Sequence, residues 1–244
     1  MQILLITKMI KINANIGNLT IINGKVIRGS KADKAYNFDE RKVVQAEDFD
    51  KILIDASFAD VNIVPEDCSK VDVHLYGTIN TKGMIEFDVH TEEKELEINL
   101  KSTGSYVKGN LKIDIVVPYK TFKRISVSTS SGNVTIGKGV LVKKFKVNTM
   151  SGDIKALLTA LKTLANTMSG DVNLCIEALE DVEISISTMS GDVTTLLNNI
   201  GKLNVSINSM SGNFTNLHKG KDGYTADVEI STMSGDIEIM DYHK

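Results

Sequence analysis

A recurring acidic or amide side chain is the feature of this sequence with the most obvious chemical potential. Asp or Asn follows the dipeptide Ser-Gly at six places, in phrases such as MSGDV and MSGDI. These residues are Asn133, Asp153, Asp171, Asp192, Asn213 and Asp236. If they were stacked, the carboxylates could bind calcium, or act as the acid and the base of a polysaccharide-cleaving β-helix. The alternative is that they form turns, because Asp and Asn side chains hydrogen-bond the local backbone at turns.

The turn interpretation accounts for this column better than a metal site or a catalytic site. Two solvated carboxylates about 4.8 Å apart repel by only about 1 kcal/mol, so the column needs no ion. Calcium loops take ligands from several positions, whereas each repeat here offers one carboxylate. The six equivalent serines before glycine also indicate structure, because a nucleophile is needed only once. We therefore predict no catalytic residue, no metal and no cofactor.

The histidines and cysteines show no catalytic or metal-binding spacing. They are His74, His90, His218, His243, Cys68 and Cys175. The histidines are scattered, which predicts surface positions, and the cysteines form no CxxC pair. The sequence also contains no GxSxG, HExxH, phosphate-binding or dinucleotide-binding motif. These absences leave the repeat itself as the main source of functional clues.

The Ser-Gly phrases belong to a repeat with a constant core and variable spacers. Its serines fall at 131, 151, 169, 190, 211 and 234, so successive copies lie 20, 18, 21, 21 and 23 residues apart. Mostly apolar residues stand six and four positions before each serine and three after it, with mostly polar residues between them. This alternation predicts strands with one buried face, and the repeat predicts coils stacked about 4.8 Å apart. The predicted fold is all-β, a β-solenoid of about 21-residue coils resembling a single-stranded β-helix.

Each Ser-Gly-Asp phrase is predicted to form a corner of a coil. Glycine reaches positive φ without the steric penalty of a Cβ atom, and Asp or Asn suits the turn that follows. The corner residues are Gly132, Gly152, Gly170, Gly191, Gly212 and Gly235, with Asp153, Asp171, Asp192 and Asp236. Asn198 and its neighbours belong to the looser spacers, which vary in length as loops do.

Two degenerate copies of the repeat suggest which corner side chains face inward. They carry Ala14 with Ile16, and Ala56 with Phe58, at the places of the threonine and the serine. This comparison predicts inward threonines and serines, with outward side chains between them. Five of these outward residues are Met150, Met168, Met189, Met210 and Met233. If these methionines face outward, they form an exposed column about 19 Å long, which is a candidate binding face for a partner, a second copy or a loop. If they face inward, they are ordinary core residues.

The repeat divides the chain into three parts of one continuous β-repeat domain, 1–244. Residues 1–64 hold the two degenerate copies, at 12–21 and 54–63. Residues 65–121 alternate in longer runs separated by turn residues, which predicts an inserted region of antiparallel hairpins. Residues 122–244 hold the regular coils.

Composition narrows the classes of partner. The 244 residues are 42% hydrophobic and 24% charged, which is typical of a chain with a sizeable core. A net charge of −3 and a pI near 5.9 give no electrostatic reason to expect nucleic acid or anionic lipid. The opening MQILLITKMI is too short for a membrane helix and precedes no small-residue cleavage site, so the sequence as written predicts a cytoplasmic chain without a membrane span.

The runs FKRISVSTSSGNV at 122–134 and FDKILIDASFADVNIVP at 49–65 resemble the bacterial putative-adhesin family of β-strand-repeat proteins, also called toastrack-like. This resemblance implies a right-handed β-solenoid, associated in many members with the cell envelope and without an established catalytic activity. Two functions follow as hypotheses. The first is a non-catalytic scaffold or adhesin-like binding module, whose partner is a protein, a glycan or another copy of itself. The second is a carbohydrate-active β-helix. The absence of Trp and the 5% aromatic content favour the binding module.

Overall fold

The computed structural model describes residues 14–16, 19–22, 25–29, 35–81, 84–103, 106–220 and 222–242. Within these ranges the chain forms twenty strands, one 3-10 helix (Ala46–Asp48) and no α-helix. The strands are β1 (Ala14–Ile16), β2 (Leu19–Ile22), β3 (Lys25–Gly29), β4 (Ala35–Gln45), β5 (Lys51–Asp55), β6 (Asp60–Glu66), β7 (Lys70–Thr81), β8 (Met84–Glu92), β9 (Glu95–Ser102), β10 (Tyr106–Pro118), β11 (Thr121–Ser128), β12 (Val134–Asn148), β13 (Ile154–Asn166), β14 (Val172–Glu177), β15 (Val182–Ser190), β16 (Val193–Asn198), β17 (Ile200–Ser209), β18 (Phe214–Asn216), β19 (Tyr224–Ser234) and β20 (Ile237–Asp241). No helix among the described residues is long and apolar enough to span a membrane.

Most strands stack in two parallel rows joined by the corners. The first row runs β9, β5, β11, the second part of β12, the second part of β13, β15, β19 and β17. The second row runs β10, β6, the first part of β12, the first part of β13, β14, β16, β20 and β18. Equivalent repeat positions pair across coils, as Val134 does with Ile154 and Ile154 with Val172. The predicted β-solenoid is therefore confirmed.

The core consists of the apolar residues that the period-two pattern selects. In β15, Ile184 and Ile186 are buried, Ser185 between them is half-buried, and Glu183 and Ser187 on either side are exposed. Buried residues of both rows belong to one continuous cluster that runs along the stack. Burial of each Val, Leu, Ile or Phe side chain contributes about 1.5–3 kcal/mol. Because one coil supplies only a few such side chains, stability arises between coils rather than within them.

The inserted region contains the antiparallel hairpins that its alternation predicts. Strand β7 pairs antiparallel with β10 and with β4, and β8 pairs antiparallel with β9. This region also extends the solenoid, because β9 pairs parallel with β5 and β10 pairs parallel with β6. The hairpins therefore form one end of the stack rather than a separate excursion.

The two degenerate copies have different outcomes. The copy at 54–63 forms a coil, because β5 and β6 pair parallel with β11 and β12. The copy predicted at 12–21 is wrong as a coil: its described residues form β1 and β2, which pair antiparallel with each other, and β2 pairs antiparallel with β3. Its residues 12, 13, 17 and 18 lie outside the described part. Strand β3 pairs antiparallel with β8, so this stretch lies beside the hairpins at that end of the stack.

The coils near the C-terminus do not stack in sequence order. We call residues 200–216, with β17 and β18, the end coil, and residues 224–241, with β19 and β20, the inserted coil. Strand β19 lies between β15 and β17, and β20 lies between β16 and β18. The chain therefore passes through the end coil first and then returns to fill the position beneath it. The repeat spacing of 23 residues before the last corner, the longest in the series, provides the chain for this return.

Side-chain contacts hold the first part of the return path, residues 217–220, in place. Nδ1 of His218 lies 2.5 Å from Oδ1 of Asp241, and the backbone N–H of Lys219 donates to Oδ2 of the same carboxylate at 3.1 Å. The His218 side chain is only 5% exposed, so the predicted surface position is wrong for this histidine. Its packing depends on the return path, which the spacing of histidines does not reveal.

Candidate binding surface

The corner is built from five residues with alternating roles. In the coil containing Gly191, Thr188 is buried, Met189 and Ser190 are exposed, Gly191 is half-buried and Asp192 is exposed. The alternation therefore resets between the methionine and the serine. The prediction of inward serines is wrong, because both residues at the reset face solvent. The serines instead pair with one another from coil to coil through the backbone, as Ser151, Ser169 and Ser190 do.

The threonines of the regular corners face inward as predicted. Five of them are 3–7% exposed: Thr129, Thr149, Thr167, Thr188 and Thr232. In the first regular corner, Oγ1 of Thr129 accepts a hydrogen bond from the N–H of Gly132 at 3.1 Å and donates to the carbonyl of Ser57 at 3.3 Å. The hydroxyls of Thr149, Thr188 and Thr232 have no hydrogen-bond partner among the described residues. Their β-branched side chains thus serve mainly to fill the core at the corner.

The Asp and Asn column forms a ladder of hydrogen bonds along the stack. The backbone N–H of Asp171 donates to Oδ1 of Asp153 at 3.0 Å, and that of Asp192 donates to Oδ1 of Asp171 at 2.9 Å. The same bond runs from Asp153 to Asn133 at 2.9 Å, so an amide oxygen replaces a carboxylate oxygen without loss of the contact. The ladder continues through Asp236 to Asn213. Each side chain before Asn213, the last of the ladder, therefore satisfies a backbone donor of the next corner.

The ladder leaves this column without the geometry of a metal site. Among the residues that the structure describes, no group of three or more His, Cys, Asp or Glu side chains could hold a metal ion. The carboxylates lie one per coil, and each directs Oδ1 toward the backbone of a neighbour. Turn and ladder chemistry thus explains the column that the sequence presents as a candidate calcium or catalytic site.

The ladder predicts different effects for two substitutions of Asp171. Asp171→Asn keeps an Oδ1 acceptor, so we expect the free energy of unfolding to stay within about 0.5 kcal/mol of the original chain. Asp171→Ala removes the acceptor of the Asp192 N–H, so we expect a loss of about 1 kcal/mol. Urea unfolding of both variants, with and without calcium, measures these effects. A calcium-dependent stabilisation that disappears in Asp171→Asn would contradict the ladder interpretation.

The methionine stripe is a column of five exposed side chains beside the corners. Its members, in spatial order, are Met150, Met168, Met189, Met233 and Met210. They are 47–78% exposed. The backbone holds the column in register, because the N–H of Ser169 donates to the carbonyl of Met150 at 3.0 Å and that of Ser190 to the carbonyl of Met168 at 3.0 Å. At about 4.8 Å per coil, the stripe extends about 19 Å.

Uncharged side chains border the stripe on both sides. The corner serines lie along one side and are exposed, and four of them line a groove of about 540 Å³ together with four methionines. Three positions before each serine stand Ser128, Asn148, Asn166, Ser187, Asn208 and Ser231. Exposed apolar side chains in one continuous column are uncommon on a surface that meets only water. The methionine side chains face outward, in the orientation predicted from the degenerate copies.

Among the residues that the structure describes, the remaining titratable groups do not converge on a reactive site. Burial raises the pKa of the Cys175 thiol to about 11, so this cysteine stays protonated at neutral pH. His74 contacts Asp39 at 2.7 Å, and His90 contacts Asp88 at 3.0 Å. These histidine pairs lie in the hairpin region, and that of His218 lies at the other end of the stack. His243 lies outside the described residues.

The stacked corners and the two parallel rows define a β-solenoid protein. Residues 49–241 match the family described as Toastrack DUF4097, and the chain belongs to this family. The chain is similar to a putative cell adhesion protein from Clostridium sporogenes, with 14% identity, coverage of 85% of this chain and 100% of the other, and a TM-score of 0.57. It is also similar to a putative adhesin from Bacteroides fragilis, with 14% identity, coverage of 86% and 99%, and a TM-score of 0.44. No curated protein matches the sequence significantly.

Proposed function

We propose that this chain is a non-catalytic, adhesin-like binding module, and that the methionine stripe binds an apolar segment of a partner protein. The observation that carries the proposal is the column of five exposed methionines in register on consecutive coils. Methionine has three rotatable side-chain bonds and a polarisable sulfur, so it adapts to varied apolar partners. A stripe of this composition favours protein over glycan, because glycan sites usually present aromatic faces and no aromatic residue belongs to the stripe.

The dimensions of the stripe suggest an extended segment as its ligand. A length of about 19 Å accommodates about six residues of extended chain at about 3.3 Å each. The border of Ser and Asn provides uncharged hydrogen-bonding groups for the backbone of such a segment. The solved relative from Clostridium sporogenes is described as a putative cell adhesion protein, and the binding role proposed here is of the same kind.

The aspartate ladder supports a binding role rather than polysaccharide cleavage. Asp153, Asp171, Asp192 and Asp236 each accept a backbone N–H of the next corner at 2.8–3.0 Å through Oδ1, so all four carboxylates of the column already have a structural role. A general acid and base also need a unique, oriented pair, whereas the ladder repeats one environment.

Selection of peptides on the folded chain tests this function. A random peptide library is displayed against the original protein, and the recovered peptides are measured against a variant in which four stripe residues become Gln. These are Met150, Met168, Met189 and Met233. We expect apolar peptides whose affinity falls at least about ten-fold on this variant, which corresponds to about 1.4 kcal/mol. Replacement by Leu at the same positions should keep most of the affinity.

A matched control places four Gln residues elsewhere on the same coils. Residues in register on the second row are Lys155, Asn173, Thr194 and Glu238, and all are exposed or half-exposed. This control should bind the selected peptides as the original protein does. Failure to recover apolar peptides, or equal binding to the stripe variant and the control, would refute the proposed function.

A further inference from the structure

The end coil leaves one edge of each row without a neighbour among the described strands. Strand β17 pairs with β19 and β18 pairs with β20, and neither has a described partner on its other side. A free strand edge presents unpaired backbone N–H and C=O groups, which can pair with another strand. Solenoids usually close such an end with a polar capping repeat.

The end coil also exposes side chains that are core in the neighbouring coil. Leu203, Val205 and Ile207 are half-buried, whereas the residues in register with them on β19 are 0–3% exposed. On the second row, Phe214 is 46% exposed, whereas its register partner Ile237 is 1% exposed. Both strands of the free end therefore carry apolar side chains that no further described coil covers.

Charge distinguishes this edge from the edge at the hairpin end. Lys202 is the one charged residue of β17, and β18 contains none. Strand β4, whose one described neighbour is β7, carries the run Asp-Glu-Arg-Lys at 39–42. Charged side chains are a common protection of edge strands against pairing. The hairpin end has this protection, and the end coil lacks it.

We propose that the end coil pairs with the end coil of a second copy of this chain, with β17 antiparallel to β17 across a two-fold axis at Val205. This register places Leu203 opposite Ile207 of the partner and Lys202 opposite Asn208, so no like charges meet. The half-buried apolar residues of both copies then cover each other. The proposal concerns the free strand edge of the end coil, whereas the stripe, which ends at Met210 of this coil, runs along the corners, so the proposal goes beyond the proposed function.

Two-fold pairing explains why association would stop at a dimer. A head-to-tail contact would join the end coil to the hairpin end and could continue into a filament. The charged β4 edge opposes that arrangement, whereas the end coil is complementary to itself. One isologous contact uses both free ends and closes the assembly.

Sedimentation analysis of the full chain at micromolar concentrations tests the pairing. The wild type should sediment as a dimer, and Asn204→Lys with Ser206→Lys should halve the mass. Residues 204 and 206 are exposed and lie beside Asp227 and Glu229 of β19, so the added lysines fit the monomer. In the proposed register, Lys at 204 faces Lys at 206 of the other copy. Ser185→Lys with Ser187→Lys adds the same charge to β15, which has neighbours on both sides, and should leave the dimer intact.

A cysteine at the two-fold axis provides a second measurement that does not depend on the lysine variants folding. Val205→Cys should form an intermolecular disulfide under mild oxidation, because residues directly opposite on antiparallel strands lie about 4.5–5.5 Å apart. Ser185→Cys should not. The proposal would be overturned if the wild type were a monomer or a larger assembly than a dimer. It would also be overturned if the two lysine variants behaved alike, both leaving the dimer intact or both dissociating it, or if the dimer formed no 205–205 crosslink.

Discussion

Replacing Gly191 by alanine is expected to lower the free energy of unfolding by about 3 kcal/mol or more. Gly191 has a φ of +148°, and a Cβ added to it would lie 2.2 Å from the carbonyl oxygen of Gly170. The obstacle is the backbone of the neighbouring corner, which cannot move aside as a flexible side chain can. The same contact recurs between successive corner glycines, so one displaced corner also disturbs the next. Valine should be worse, because its β-branch adds bulk at the same point.

Thermal unfolding of Gly191→Ala and a matched control measures this effect. At about 2–4 °C per kcal/mol for a chain of this size, the melting temperature should fall by about 6–12 °C or more. Gly137→Ala is the control, since its new Cβ would meet nothing closer than 3.3 Å and its φ is not in the positive region. The prediction of a loose spacer at Asn198 is wrong, because this residue ends strand β16. Asn198→Ala should still be tolerated, since its half-buried side chain makes only a long contact of 3.4 Å with Glu177 among the described residues. Equal melting temperatures for Gly191→Ala and Gly137→Ala would contradict the account of the corners.

The sequence repeat predicts the coils, their period and their inward apolar positions, because each copy of the repeat contains the pattern that determines them. Alternation selects Ile184 and Ile186 as core without knowledge of the neighbours, and Ser-Gly-Asp indicates the turn chemistry of each corner. The stacking then follows, since a coil cannot bury its apolar face alone. Family membership of residues 49–241 agrees with the resemblance carried by the motifs.

The orientation of the serines could not be predicted from the degenerate copy at 54–63. The apolar residue Phe58 holds the serine position there, which suggested an inward column, and Phe58 itself does pack partly against the core. That corner has a different backbone, because Ser57 has a φ of 46°. It also begins the column of corners, with the carbonyl of Ala59 contacting Gly132. A corner at the start of a stack is thus a poor guide to corners between two others.

The order of the last two coils depends on small differences between nearly equivalent strands. Val205 and Val228 hold the same repeat position, so either strand could pair with β15 by pattern alone. The corner residues differ more: the inserted coil has Thr232 and Ile237 where the end coil has Ser209 and Phe214. Interior coils bury Thr and a β-branched residue at these places, whereas the larger Phe214 is 46% exposed at the open end. These preferences explain the inserted position, but they are visible only after the structure shows which coil is terminal.

Engineered disulfides should distinguish the observed order of the coils from sequence order. Ser187 is in register with Ser231 of the inserted coil, and Ser231 with Asn208 of the end coil. Register partners on adjacent coils lie about 4.8 Å apart, and positions two coils apart lie about 9.6 Å apart. A disulfide needs Cα atoms within about 7 Å. Ser187→Cys with Ser231→Cys should therefore crosslink, whereas Ser187→Cys with Asn208→Cys should not.

Peptide mass spectrometry under non-reducing conditions reads both pairs after mild oxidation. The native Cys175 should not compete, because burial raises its pKa to about 11 and few thiolates form at neutral pH. Asn208→Cys with Ser231→Cys is the positive control for the end coil, since it joins adjacent strands. If the 187–208 pair crosslinked within one chain and the 187–231 pair did not, β17 would be the neighbour of β15. The inserted coil would then be terminal, and its edge rather than that of β17 would be the free one.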